Sequence, residues 1–187
     1  MNELDVGHGG RGTASLPVVV IDPGHGGRQP GAVGVTGLTE SWVVLQVALR
    51  VREMLRGRVN VELTRENDTD VALRHRIAPA DARAFISIHC NGFTDRAANG
   101  TETFWQQGGA AASQRLATVL QQQLVPALGR RNRGVKVGNF QVLRQARVPA
   151  ALVELAFITN VEEEQLLRSQ QTHERAAQAI VDAVLQF

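Results

Sequence analysis

Three runs of apolar, largely β-branched residues constrain this chain more than any other feature: LPVVVID at 16–22, AFISIHCN at 84–91 and AALVEL at 150–155. Runs without polar alternation suit strands buried on both faces, as in a parallel sheet covered by helices. Amphipathic segments lie between them. LTESWVVLQVALRVREMLRG (38–57) places Val44, Leu45, Ala48, Val51 and Leu55 at helical spacing, with Thr39 as N-cap and Gly57 as C-terminal stop. Residues 110–128 repeat the pattern with Leu116, Val119, Leu120, Leu124 and Leu128, and a helical segment runs from about 161 to AAQAIVDAVLQF. VNVELTR (59–65), GTETFW (100–105) and FQVLR (140–144) read as further strands, GTETFW alternating like an edge strand. VALRHRIAPADA reads as a short helix broken near Pro79. The alternation predicts a single α/β domain, 16–187, with a twisted, mostly parallel sheet and helices on both faces. A Gly-rich tail, 1–15, precedes it.

Composition narrows the function classes. The 187 residues are 43% hydrophobic and 20% charged, which is globular rather than disordered. No apolar run is long enough for a transmembrane helix, and the first residues lack the pattern of a signal peptide. The expected location is therefore the cell envelope if the chain is a piece of an exported precursor, or release by lysis otherwise. Net charge is only +2 and the arginines are scattered, so no nucleic-acid partner is expected. One cysteine, Cys90, excludes an internal disulfide and any CxxC zinc ribbon. A monomer is the default expectation.

The chemistry sits at the strand ends. VVVID-PGH delivers Asp22 and His25, AFISIH delivers His89, and AALVE delivers Glu154. A core strand that finishes in His or Glu must find that group a partner. In a parallel sheet these ends converge on one edge, where α/β proteins bind ligands. Glu40, in the first turn of the helix after the glycine loop, faces the same edge. Two histidines and two glutamates match a catalytic zinc, which takes three protein ligands and keeps one open position. A carboxylate that is not a ligand then accepts the proton of the attacking water. His25, Glu40 and His89 are assigned as ligands and Glu154 as base, although chemistry alone allows the two glutamates to exchange roles. HExxH, GxSxG and GxxxxGK[ST] are all absent.

GHGGR occurs twice, at 7–11 and at 24–28. The second copy follows a core strand and has partners at Glu40 and His89. The first sits in the tail, where His8 has no second ligand nearby, so it is read as an echo.

The ordered blocks VVVIDPGHGG, TGLTES, VELTRENDTDVALRHR, FISIHCN, NRGVK, FQVLR and VELAFITN resemble the zinc-dependent N-acetylmuramoyl-L-alanine amidases, in particular the catalytic domain of cell-division amidases and phage endolysins. The resemblance covers about 17–185. It implies a sheet of about six strands and one zinc ion per chain, held by His25, Glu40 and His89. It makes Glu154 the catalytic carboxylate, which settles the exchange left open above. The implied substrate is peptidoglycan, cut at the amide between the lactyl group of N-acetylmuramic acid and L-alanine of the stem peptide. By family position, Asn91, Arg133 and Gly134 line the substrate groove. Two departures stand out: Ser41 replaces a frequent lysine, and Ala82-Arg83 replaces a frequent Ala-Asp. Some cell-division members carry an insertion after the second histidine that plugs the site. Here only 92–100 separate HCN from TETFW, so an open enzyme without an activator is expected.

Other residues receive structural assignments. Asp22 is expected to orient the loop or a ligand histidine. Cys90 should face away from His89 as a core filler. His75 and His173 are expected at the surface, and Arg65 with Asp68 as a structural salt link. Two rival functions remain: a zinc peptidase acting within the stem peptide, and a non-catalytic wall-binding module.

Overall fold

The computed structural model describes residues 15–108 and 111–187, so the expected tail, including the first GHGGR, lies outside the described residues except for Ser15. The elements in chain order are β1 (Val18–Pro23), α1 (Glu40–Leu55), β2 (Asn60–Leu63), a 3₁₀ turn (Leu73–His75), β3 (Ala84–Asn91), β4 (Thr101–Trp105), α2 (Ala111–Leu128), β5 (Asn132–Val137), α3 (Gln141–Gln145), β6 (Ala150–Phe157), α4 (Val161–Arg168) and α5 (Gln170–Gln186). They build one six-stranded sheet in the order β2-β1-β3-β6-β4-β5. The first four strands are mutually parallel. β4 runs antiparallel to β6, and β5 follows β4 in parallel.

The three long helices cover one face. Val43, Val47 and Val51 of α1, Leu116 and Leu120 of α2, and Ile180 and Val184 of α5 close over Val19, Ile21, Ile86 and Val153. The other face is thinly covered, with Val142 and Leu143 of α3 packed on Val20, Phe85 and Leu152. β6 lies in the middle and is buried at all eight positions, so its continuous apolar run was needed for both faces. β1, β3 and β6 therefore end side by side, with His89 in register with Glu154.

Four expectations change. FQVLR is not a strand: Phe140 is an extended N-cap, and Leu143 and Arg144 donate to its carbonyl. One helical turn puts adjacent Val142 and Leu143 on the same apolar face, which a strand cannot do. GTETFW is not an edge strand, because β5 covers its outer side and Thr101 and Thr103 are fully buried. The segment around Pro79 keeps only the 3₁₀ turn, and Arg76 just beyond it turns inward. The C-terminal helical segment divides at Ser169, which ends α4 and caps α5. The β3–β4 connection, 92–100, contains no helix.

Candidate metal centre

β1 stops at Pro23, and the chain turns through GHGG. Two buried arginines hold that turn by its carbonyls. Arg65 donates from Nε to the Pro23 carbonyl at 2.9 Å and from Nη2 to those of Gly24 and Ser41 at 2.8 Å. Arg76 donates to the carbonyls of Pro23 at 2.8 Å and His25 at 2.6 Å. Asp22 supplies the counter-charge: its Oδ1 takes Arg76 at 2.8 Å and the Thr64 hydroxyl, while Oδ2 takes the Ser87 hydroxyl. Burial, with Arg76 alongside, pulls the Arg65 guanidinium below its ordinary range. Asp22 thus orients the loop through Arg76 and touches neither histidine of the cluster. Held this way, His25 adopts a left-handed φ of 58°, an unfavourable state for a side-chain-bearing residue that these clamps sustain.

Glu40 opens α1, and its carboxylate is aimed by backbone groups. Oε2 accepts the Ala32 N–H at 2.8 Å, and Oε1 accepts the Cys90 N–H at 3.1 Å. Oε1 also lies 2.7 Å from His89 Nδ1 and 3.2 Å from His25 Nε2. The donor atoms of His25, Glu40 and His89 all fall within 4.8 Å of one another. Burial alone would raise the Glu40 carboxyl, but hydrogen bonds from His25 and His89 and their charge hold it far below the carboxylate range. Glu40 is therefore ionised at neutral pH.

Glu154 faces the same space from β6. Its Oε2 is buried and has no hydrogen-bond partner among the described residues. Burial first, then the charges of Glu40 and Glu102, push its carboxyl well above the usual value. Two imidazole nitrogens and a carboxylate oxygen converging on one point, with an unpaired buried carboxylate beside them, form a set that a divalent cation would satisfy. The donor types and their spacing fit zinc. The cluster lies in a cavity of about 480 Å³ that continues past Asn91 toward Leu73, Phe140 and Val142. The β3–β4 connection, 92–100, holds no helix that could fill it.

The remaining candidates separate. Asn91 lines the cavity and donates from Nδ2 to Glu102 Oε1. Arg133 pairs through Nε with Glu102 Oε2 at 2.8 Å, and its guanidinium lies over the Phe157 ring. Gly134 sits at a separate hollow beside α2 with Thr118 and Gln121. Cys90 points into the helix-side core. His75 is exposed. His173 is not at the surface: it is 1% exposed, pairs through Nε2 with the Leu167 carbonyl and meets the Trp42 ring edge-on. Arg65 binds carbonyls rather than forming a salt link with Asp68, whose carboxylate takes the Gly27 N–H.

Sequence reasoning missed Arg76 and Glu102. Glu102, opposite Glu154 in the antiparallel pair, accepts Asn91, Arg133 and Lys136 and is 4% exposed. The TETFW alternation could have flagged it, since Glu102 must face the side opposite Thr101 and Thr103.

Known proteins resemble this chain in sequence and fold. Residues 19–186 match the N-acetylmuramoyl-L-alanine amidase family, Amidase_3. N-acetylmuramoyl-L-alanine amidase LytC of Bacillus subtilis is 41% identical over 175 residues, 90% of this chain and 35% of LytC. Protein YqiI of the same organism is 40% identical, over 89% of this chain and 82% of YqiI. The chain thus spans about a third of LytC but most of YqiI. Among solved structures, the catalytic domain of the amidase CwlV from Bacillus (Paenibacillus) polymyxa superposes with a TM-score of 0.86 at 38% identity, covering 91% of this chain and 97% of that one. An N-acetylmuramoyl-L-alanine amidase from Clostridium difficile 630 gives 0.87 at 32% identity, covering 91% and 96%.

Proposed function

The chain belongs to the N-acetylmuramoyl-L-alanine amidase family, and from that premise we propose that it hydrolyses peptidoglycan at the amide joining the lactyl group of N-acetylmuramic acid to L-alanine, with one zinc ion held by His25, Glu40 and His89. The observation that carries this reading is the unpaired Glu154 carboxylate beside three convergent donors in one cavity. Zinc, when bound there, supplies Lewis acidity that lowers the pKa of water to about 7 and polarises a carbonyl.

This chain's residues do the rest. Glu154 takes a proton from the attacking water through its free oxygen and returns it to the departing L-alanine nitrogen. Its burial favours the proton-bearing form needed for the second step. Glu40 remains charged and holds both imidazoles in place. Asn91, which lines the cavity, is proposed to contact the substrate. The short β3–β4 connection, which holds no helix, supports an enzyme that needs no activator. The envelope is the proposed place of action, in keeping with relatives named cell wall amidases, and a monomer the proposed form. Residues 16–187 are proposed as the catalytic domain.

The test is mass spectrometry of purified peptidoglycan after digestion, with zinc and with a chelator. Free stem peptides beginning at L-alanine, released only with metal, are expected. Cuts within the stem peptide would instead identify a peptidase, and no release would favour a wall-binding module.

A further inference from the structure

Two neighbouring glutamates at the start of α4 are buried to 1% exposure each, although neither belongs to the metal cluster. Each carboxylate grips a different piece of backbone. Glu163 accepts the N–H of Gly100 at 2.9 Å and of Phe157 at 2.6 Å, tying the start of β4 to the end of β6. Glu164 reaches 128 residues back along the chain. Its Oε1 accepts the Thr36 N–H at 3.0 Å, the Thr36 hydroxyl at 2.7 Å and, at 3.4 Å, the Leu38 N–H. Arg168, one turn later on α4, donates to the same Thr36 hydroxyl oxygen at 2.5 Å. Gly34 closes over the carboxylate so tightly that an added Cβ would overlap it.

The gripped loop is the one that presents Glu40. Gly34 N–H bonds the Leu38 carbonyl at 2.8 Å and Gly37 N–H the Gly34 carbonyl at 3.1 Å, making a tight turn at the tip. At the base, Glu40 N–H bonds the Ala32 carbonyl at 2.9 Å, and Ala32 N–H returns to Glu40 Oε2 at 2.8 Å. Glu40 is thus aimed by Ala32, and the loop carrying Ala32 is anchored at its tip by Glu164. The rest of α1 is docked independently by Val43, Val44, Val47 and Val51. Losing the anchor would therefore loosen residues 32–40 without undocking the helix.

We propose that Glu164 is a positioning residue for the metal cluster, setting its affinity by holding the Thr36–Leu38 turn and, through it, the Glu40 carboxylate. The inference rests on the zinc reading above. Partners that orient a ligand without touching the metal typically control affinity by about 10–100-fold.

The test compares Glu164→Gln with Glu163→Gln, a matched loss of a buried carboxylate from the same helix turn. Zinc affinity is read by competition with a chromophoric chelator, and amide hydrogen exchange is followed on the metal-free proteins. Glu164→Gln is expected to speed exchange at Thr36 and Leu38 and weaken zinc about tenfold or more. Glu163→Gln is expected to bind zinc as the unaltered protein does. Wild-type affinity in Glu164→Gln, or equal weakening in both variants, would overturn the proposal, the second outcome showing only general loosening. If Glu164→Gln does not fold, Thr36→Val removes the hydroxyl contact from the loop side, and the same outcomes decide. Failure of the unaltered protein to bind zinc would overturn the zinc reading itself, which separates the two failures.

Discussion

Gly24 shows how little slack the site has. A Cβ there would overlap the His89 ring, and no left-handed φ is involved, so the constraint is purely steric. Gly24→Ala should displace His89 and weaken zinc about tenfold or more, seen by chelator competition, because ligand orientation is lost while the core is untouched. Glu154 carries the opposite kind of constraint, a charge the fold does not favour. Glu154→Gln should reduce peptidoglycan cleavage by about 10²–10⁴-fold, as loss of a general base does, with zinc content unchanged. Its carboxyl is raised by burial and by neighbouring Glu40 and Glu102. The folded state therefore holds that proton more tightly than the unfolded chain, and stability falls as pH rises above the unfolded value of about 4.3. In chelator, Glu154→Gln should be more stable than the unaltered protein at pH 7, with the gain vanishing below about pH 4 in denaturant melts. An unchanged or lower stability at pH 7 would show that Glu154 finds a partner. From residues alone the two glutamates were interchangeable. The fold distinguishes them by what they touch: Glu40 Oε1 lies against two histidines and a backbone N–H, whereas Glu154 Oε2 meets no donor among the described residues.

At the scale of elements, β4 brings a second charged group to the same edge. Burial would raise the Glu102 carboxyl, but hydrogen bonds from Lys136 and Arg133 lower it overall. A depressed carboxyl stabilises the fold above its unfolded value of about 4.3, and that contribution disappears as pH falls through the folded value. Glu102→Gln should accordingly cost about 1–3 kcal/mol at pH 7, the range for a charge-assisted hydrogen bond, and almost nothing at pH 2–3. Denaturant melts across that range would detect it; a pH-independent loss would mean the cost is packing. Which elements were legible follows from where their information lies. β1, β3 and β6 declared themselves because burial on both faces demands uninterrupted apolar residues. α1 showed its helical face and its stop, with Gly57 at a φ of +77° just beyond Arg56. β4 was legible as a strand but its interior place was not, and α3 was misread as a strand, because both depend on distant partners: β5 to cover one, and Phe85 and Leu152 to receive the other. The loop clamps were invisible for the same reason. Arg65 and Arg76 bind carbonyls of residues 23–25 and 41, and a carbonyl leaves no mark in a sequence.

Over the whole molecule, sheet, core and cluster all lie within 15–187, and the family match spans 19–186. Zinc would join strands β1 and β3 with helix α1, so its binding should stabilise the domain as a unit. At 100 times its dissociation constant a ligand adds about 2.7 kcal/mol, which for a domain of this size is roughly 5–10 °C in Tm. Deleting residues 1–14 should change neither the metal-free Tm nor that zinc-dependent rise, because the six-stranded sheet and the three donors lie within 15–187. The deletion also decides the repeated GHGGR. His8 would be a single imidazole, and a lone imidazole cannot hold zinc against water as three fixed donors can. Zinc content should therefore be one per chain with or without the first copy, and peptidoglycan release should be equal. A fall from two zinc ions to one on deletion would make the first copy a second site. A fall in release at constant zinc would instead give residues 1–14 a part in substrate contact, because the catalytic residues would be intact.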